Sequence, residues 1–177
     1  GMSSVKALRE AFPDHIIVAD MKTFDNALYE MEICFAAGAD LATVMGAAPV
    51  ETIELCFNVA KRFGKEIMID LLETPTQKIE ALARLGNAIF CTHISKDRQE
   101  REGISQTVSN FSADRAAVKG KEIRWAVAGG INEASLPDIV KENPEVVIVG
   151  SAITKAANPG AAARRLKSLA QGGKGFE

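Results

Sequence analysis

The sequence predicts a parallel α/β fold, and three observations predict it. Short strand-like runs alternate regularly with amphipathic helical stretches. The runs are rich in Ile and Val and nearly continuous in hydrophobicity, as strands covered on both faces are. Glycines follow three of the helical stretches, where a chain leaving a helix adopts positive φ at little cost.

In chain order, a helix over residues 4–11 comes first, with no strand before it. A strand over 15–21 leads to a helix over 26–37, closed by Gly38. The pattern then repeats as strand 41–45, helix 50–63 and Gly64, and as strand 66–71, helix 76–85 and Gly86. Strand 88–93 is followed by a helix around 112–118, strand 123–128 by a helix over 134–141, and strand 146–149 by a helix over 160–170. Such strand–helix alternation implies right-handed βαβ units and a parallel sheet. No linker or low-complexity tract interrupts it, so residues 1–170 read as one domain and 171–177 (QGGKGFE) as a frayed tail. Six parallel strands fit either an open doubly wound sheet or part of a barrel, and composition does not choose between them.

The 177 residues suit one domain with a sizeable core. Lys and Arg number 21 against 23 acidic residues, and the formal charge of −2 offers no footprint for nucleic acid or an anionic membrane. One Trp and one Tyr give little base-stacking surface. An anionic substrate must therefore be held locally, by backbone N–H groups and one or two cations. No apolar run reaches the roughly 20 residues that span a bilayer. Cys34, Cys56 and Cys91 lie in apolar runs without C-x-x-C spacing. They read as reduced core thiols, and the odd count without a signal peptide points to the cytoplasm.

In parallel α/β folds the reactive groups collect where strands end. The first run exits through Asp20, Lys22 and Asp25. Asp20 and Lys22, two apart, point the same way from an extended chain. An acid, a cation and a second acid at this spacing suit a metal ligand, an enolate stabiliser and a proton-transfer partner. The same residues also suit a capped helix with a surface ion pair. Asp70 ends the third run, where a carboxylate is costly unless paired or ligating. His93 ends the fourth, followed by Ser95, Lys96 and Asp97, and serves as a proton carrier or as a structural histidine. The last two runs exit through Gly129-Gly130 and Gly150-Ser151. Loops of this kind let a backbone approach an anion closely, and they also occur as plain left-handed turns.

The segments VADMKTFD (18–25), ATVMGAA (42–48), MIDLL (68–72), AVAGGIN (126–132) and VIVGSAITKAANP (147–159) resemble the 3-hexulose-6-phosphate synthases. These belong to the orotidine-phosphate-decarboxylase suprafamily, together with the 3-keto-L-gulonate-6-phosphate decarboxylases. The resemblance runs from about Met2 to about Ala170, and its D-x-K-x-x-D motif, filled by Asp20, Lys22 and Asp25, is fairly specific for the suprafamily.

The resemblance implies a (β/α)8 barrel of which about six β/α units are present, the two that open the barrel in family members having no counterpart here. It implies that Asp20 helps bind Mg²⁺, that Lys22 stabilises an enediolate, and that Asp25 reaches into the partner's site in a homodimer with shared active sites. Asp70 then contacts substrate near the reacting carbons and His93 moves protons. Gly129, Gly130, Gly150 and Ser151 hold the phosphate. The implied reaction is an aldol condensation of formaldehyde with D-ribulose 5-phosphate. The alternatives are the sister decarboxylase and a catalytically impaired sugar-phosphate-binding chain. Asp70, Ala128 and Ser151 resemble the synthases, where decarboxylases tend to carry Glu, Thr and Arg. Lys96, standing where decarboxylases usually place an Arg, and the stretch His93-Ile94-Ser95 depart from the synthase pattern.

Overall fold

Apolar strands bracketed by helices dominate the computed structural model, which describes residues 1–95 and 106–172. The chain forms two compact units, Gly1–Phe90 with Gly120–Ile123, and Cys91–Lys119 with Arg124–Glu177. Lys96, Asp97 and most of the expected C-terminal tail lie outside the described residues.

The first unit holds α1 (Met2–Ala11), β1 (Val18–Thr23), α2 (Ala27–Ala36), β2 (Leu41–Met45), α3 (Val50–Phe63), β3 (Glu66–Asp70) and α4 (Thr76–Leu82). β4 (Ile89–His93) begins in it. The strands run parallel, with Leu41 opposite Glu66 and Met45 opposite Asp70, so the exits of β2 and β3 lie side by side. Leu41 to Val44 and Ile67 to Asp70 are all buried, as the continuous hydrophobicity of those runs requires. α2 buries Ala27, Met31, Cys34 and Phe35, and α3 buries Ile53, Cys56, Val59 and Ala60. Both sets follow the three-to-four-residue spacing of one helix face. Full burial of Met31 and Ile53 contributes about 1.5–3 kcal/mol each. α3 ends where Gly64 turns left-handed at φ 64°.

α1 buries no side chain and is tied down by Arg9 instead. The guanidinium donates to the carbonyls of Gly38 at 3.0 Å, Pro13 at 2.7 Å and His15 at 2.9 Å, and pairs with the Asp40 carboxylate. Asp40 also accepts from Ile17 N–H at 2.9 Å and from Lys65 Nζ at 2.7 Å. Residues 15–17, expected as strand, belong to this tethered lead-in, and β1 starts only at Val18.

Gly86 is a second departure. It does not take the positive φ expected of a helix-closing glycine. α4 has already ended at Leu82, and the missing side chain at Gly86 makes room for the Phe57 ring, which would lie 3.2 Å from a Cβ.

The second unit holds the rest of β4, α5 (Gln106–Ala117), β5 (Arg124–Ala128), α6 (Leu136–Lys141), β6 (Val146–Ile148), α7 (Ser151–Thr154) and α8 (Pro159–Ala170). α5 begins earlier than the expected 112–118. Its Phe111 packs edge-on against Trp125 of β5 with ring centroids 5.7 Å apart. β5 and β6 are parallel, with Ala128 opposite Ile148. α8 starts with Pro159 after Asn158, whose side chain accepts from Ala161 N–H at 3.0 Å. Among the described residues no helix is long and apolar enough to cross a membrane.

Candidate active site

The exits of β1 and β3 carry a buried acid, an exposed acid and the lysine between them. Lys22 Nζ donates to both oxygens of Asp20, at 2.8 and 2.9 Å, and to Asp70 Oδ2 at 3.1 Å. Asp70 is 3% exposed, and its other oxygen accepts from Leu72 N–H at 3.0 Å. The buried carboxylate is thus paired and hydrogen-bonded, as its position demands. Asp20, with 63% of its side chain exposed, faces water. Burial alone would lower the Lys22 pKa, but the hydrogen bonds and charges of Asp20 and Asp70 outweigh it. The ammonium therefore titrates above the ordinary lysine range.

Local backbone geometry creates this arrangement. Lys22 is not extended, as the two-residue spacing from Asp20 implied, but left-handed at φ 48°. Between Ala19 and Thr23 the chain advances four residues while β2 advances only from Ala42 to Val44, a bulge facing Thr43. Lys22 N–H, deprived of a regular ladder partner, donates to Thr43 Oγ1 at 2.8 Å. The same hydroxyl donates to Asp20 Oδ1 at 3.0 Å. Just beyond, the buried Thr23 hydroxyl donates to Glu30 Oε2 at 2.5 Å, fixing the strand end to α2. Thr43 was not among the residues the sequence singled out. Its signal was a hydroxyl within an otherwise apolar strand run.

Gly46 backs the acid. Its N–H donates to the Asp70 carbonyl at 2.7 Å, and a Cβ there would lie 2.6 Å from Thr74 Oγ1 and 3.2 Å from the Asp70 carbonyl oxygen. Asp25 stands apart from the Lys22 cluster: its Oδ1 accepts from Asn26 N–H at 2.7 Å, and the residue is exposed. It does not cap α2, whose N-cap, Asn26, is left-handed and makes no side-chain capping bond.

In the second unit His93 ends β4, half-buried. Neighbouring Thr92 donates to Asp114 Oδ2 at 2.6 Å, and burial holds the Asp114 carboxyl above the usual range despite that bond. The pairing of Ala128 with Ile148 places the two glycine exits next to each other. Gly129 and Gly130 have φ of 104° and 67°, so turn geometry already requires glycine at both. Gly150 has φ −102° and ψ −94°, outside the usual helical and extended regions, and a Cβ there would meet open space. Ser151, next to it, is exposed at the start of α7.

A sequence model of the orotidine 5'-phosphate decarboxylase / HUMPS family matches residues 1–166. The chain belongs to that family. Among members of the orotidine 5'-phosphate decarboxylase / HUMPS family, it is 35% identical to the 3-hexulose-6-phosphate synthase of Mycobacterium gastri over 170 residues. That alignment covers 95% of this chain and 80% of the relative. The Bacillus subtilis enzyme of the same name is 35% identical, with coverage of 96% and 80%. The crystal structure of 3-hexulose-6-phosphate synthase from Salmonella typhimurium superposes with a TM-score of 0.88 at 32% identity, covering 98% of this chain and 81% of that one. The 3-keto-L-gulonate-6-phosphate decarboxylase of Vibrio cholerae follows at 0.76 and 29% identity, with coverage of 97% and 79%. The fold is therefore the β/α-barrel type of this family, with six β/α units in this chain.

The family resemblance implies Mg²⁺, and the donor chemistry here fits it. This ion is bound by one or two carboxylates completed by water and substrate oxygens. Asp20 offers such a carboxylate, open to water. Among the described residues no group of three or more His, Cys, Asp or Glu side chains stands together as a protein-only metal cage.

Proposed function

We propose that this chain is a 3-hexulose-6-phosphate synthase, an aldehyde-lyase that joins formaldehyde to D-ribulose 5-phosphate in formaldehyde fixation by the ribulose monophosphate pathway. The observation that carries the reading is Lys22, held between Asp20 and Asp70 at strand exits in a chain of this family. A proton leaves C1 of ribulose 5-phosphate, the resulting enediolate carbon attacks formaldehyde, and the formaldehyde oxygen takes up a proton. No group departs, so five carbons and one give six. Lys22 stabilises the developing enediolate oxygen by charge and hydrogen bonding. Asp70 orients the reacting carbons, and His93 carries the proton. Asp20 would hold Mg²⁺, which would supply further positive charge at the site.

Gly129-Gly130 and Gly150-Ser151 hold the phosphate. The open space at Gly150 supports that role. Asp25 acts in a partner subunit's site within a homodimer. Phe24 at 54%, Leu28 at 44% and Tyr29 at 59% exposure flank it as an apolar surface suited to such an interface. The buried free thiols suit a reducing cytoplasm.

The second reading, 3-keto-L-gulonate-6-phosphate decarboxylase, draws on the Vibrio cholerae structure; Asp70, Ala128 and Ser151 weigh against it. Parallel assays decide. Formaldehyde consumption with ribulose 5-phosphate and Mg²⁺, without CO2 release from 3-keto-L-gulonate 6-phosphate, supports the synthase. The reverse pattern overturns it. Sugar-phosphate binding with neither turnover leaves an impaired binder.

A further inference from the structure

We propose that Thr43 is a positioning residue for the reaction, its hydroxyl setting the geometry of Lys22 and Asp20 together. The proposal deepens the synthase reading and rests on Lys22 as the enediolate stabiliser.

Thr43 is 4% exposed in the middle of β2, at the one stretch where β1 departs from regular pairing. An ordinary ladder would give Lys22 N–H a backbone carbonyl; the bulge gives it the Thr43 hydroxyl oxygen at 2.8 Å instead. That hydroxyl has a single proton, and it goes to Asp20 Oδ1 at 3.0 Å. One oxygen thus pins the lysine's backbone and the carboxylate its ammonium bonds. The left-handed φ of 48° at Lys22 is disfavoured for a residue with a Cβ, and it persists only where neighbours enforce it. Without the Thr43 acceptor, Lys22 N–H would be left in a half-buried gap and the strand would relax toward extended backbone. Lys22 Nζ would then leave the position from which it meets Asp20 and Asp70 at once.

The test compares Thr43→Val, which keeps shape and loses the hydroxyl, with Thr43→Ser, which keeps the hydroxyl. Thr43→Ala against Thr43→Ser supplies the same contrast should valine compromise folding. The readouts are kcat and KM for ribulose 5-phosphate, and exchange of the Lys22 amide hydrogen by NMR. The expected result is a kcat loss of about 100-fold in the hydroxyl-free variants, the scale of an ångström-level misplacement. KM should stay within about threefold, Thr43→Ser should stay near wild type, and Lys22 amide exchange should quicken only where the hydroxyl is gone. The proposal is overturned if the hydroxyl-free variants keep wild-type kcat, or if Thr43→Ser is impaired as much as they are. An inactive wild-type chain would sink the synthase reading instead. In that case the amide decides: unchanged exchange in Thr43→Val overturns the positioning role and faster exchange upholds it.

Discussion

Replacing Lys22 by Met separates the chemistry of the site from the stability of the fold. The substitution removes three hydrogen bonds from Nζ while keeping the apolar stem. The two to Asp20 face water and are worth at most about 1 kcal/mol together. The third leaves the buried Asp70 carboxylate one donor short, though Leu72 N–H stays on its other oxygen. That deficit costs about 1–3 kcal/mol. Lys22 itself is 39% exposed, so water reaching its position keeps the loss at the low end. A total of about 1–3 kcal/mol lowers Tm by roughly 3–9 °C in a chain of this size. The rate should fall far more, because loss of a donor aimed at a developing oxyanion costs about 100- to 1,000-fold in kcat. Exchange of the C1 hydrogen of ribulose 5-phosphate in D2O, followed by NMR, reads the first half-reaction alone. The expected outcome is a folded protein with exchange reduced at least 100-fold. Exchange within threefold of wild type in a folded Lys22→Met protein would refute the role of Lys22.

Four further outcomes follow from the structure. Gly46→Ala places a methyl against Thr74 Oγ1 and the Asp70 carbonyl and should lower both Tm and kcat through about 1–3 kcal/mol of overpacking, read by thermal melts and turnover. Gly64→Ala, with open space but φ 64°, should cost about 1–2 kcal/mol of stability and leave kcat unchanged. Burial would raise the Asp40 pKa, but bonds from Lys65, Ile17 N–H and Arg9 hold it below the usual range. A depressed folded-state value means that its contribution is present above the unfolded value of about 4 and is lost as pH falls through the folded one. Asp40→Asn should therefore lower Tm at neutral pH and flatten the loss of Tm below about pH 4, measured by melts across an acid series. Inactive Asp25→Ala and Lys22→Met subunits, mixed into confirmed hybrids, should recover part of the activity if Asp25 serves the partner's site; no recovery argues against a shared site.

The fold was legible where sequence pattern and environment coincide. β2 and α3 lie at the expected residues because an unbroken apolar run and a helix face ending in Gly64 need no distant partner to define them. The start of β1 was not legible, since residues 15–17 are held by Arg9 and Asp40, partners separated from them in sequence. Gly86 looked like a helix terminator, yet it lies past the end of α4 and serves the close approach of Phe57 from α3, a contact that composition does not encode. At the candidate site, the structure brings Lys22 together with Asp20 and Asp70, polar residues that stand out against the apolar runs of β1 and β3. What brings Lys22 to both acids, a bulge and a threonine on the next strand, is a property of register between strands and leaves only a faint mark in the chain itself.

The most direct test of the synthase reading uses ¹³C-formaldehyde, unlabelled ribulose 5-phosphate and Mg²⁺ with this chain. A new ¹³C resonance for the terminal hydroxymethyl carbon of a 3-hexulose 6-phosphate should grow as formaldehyde disappears and be absent with Lys22→Met. Unchanged labelled formaldehyde at long incubation with folded protein would contradict it.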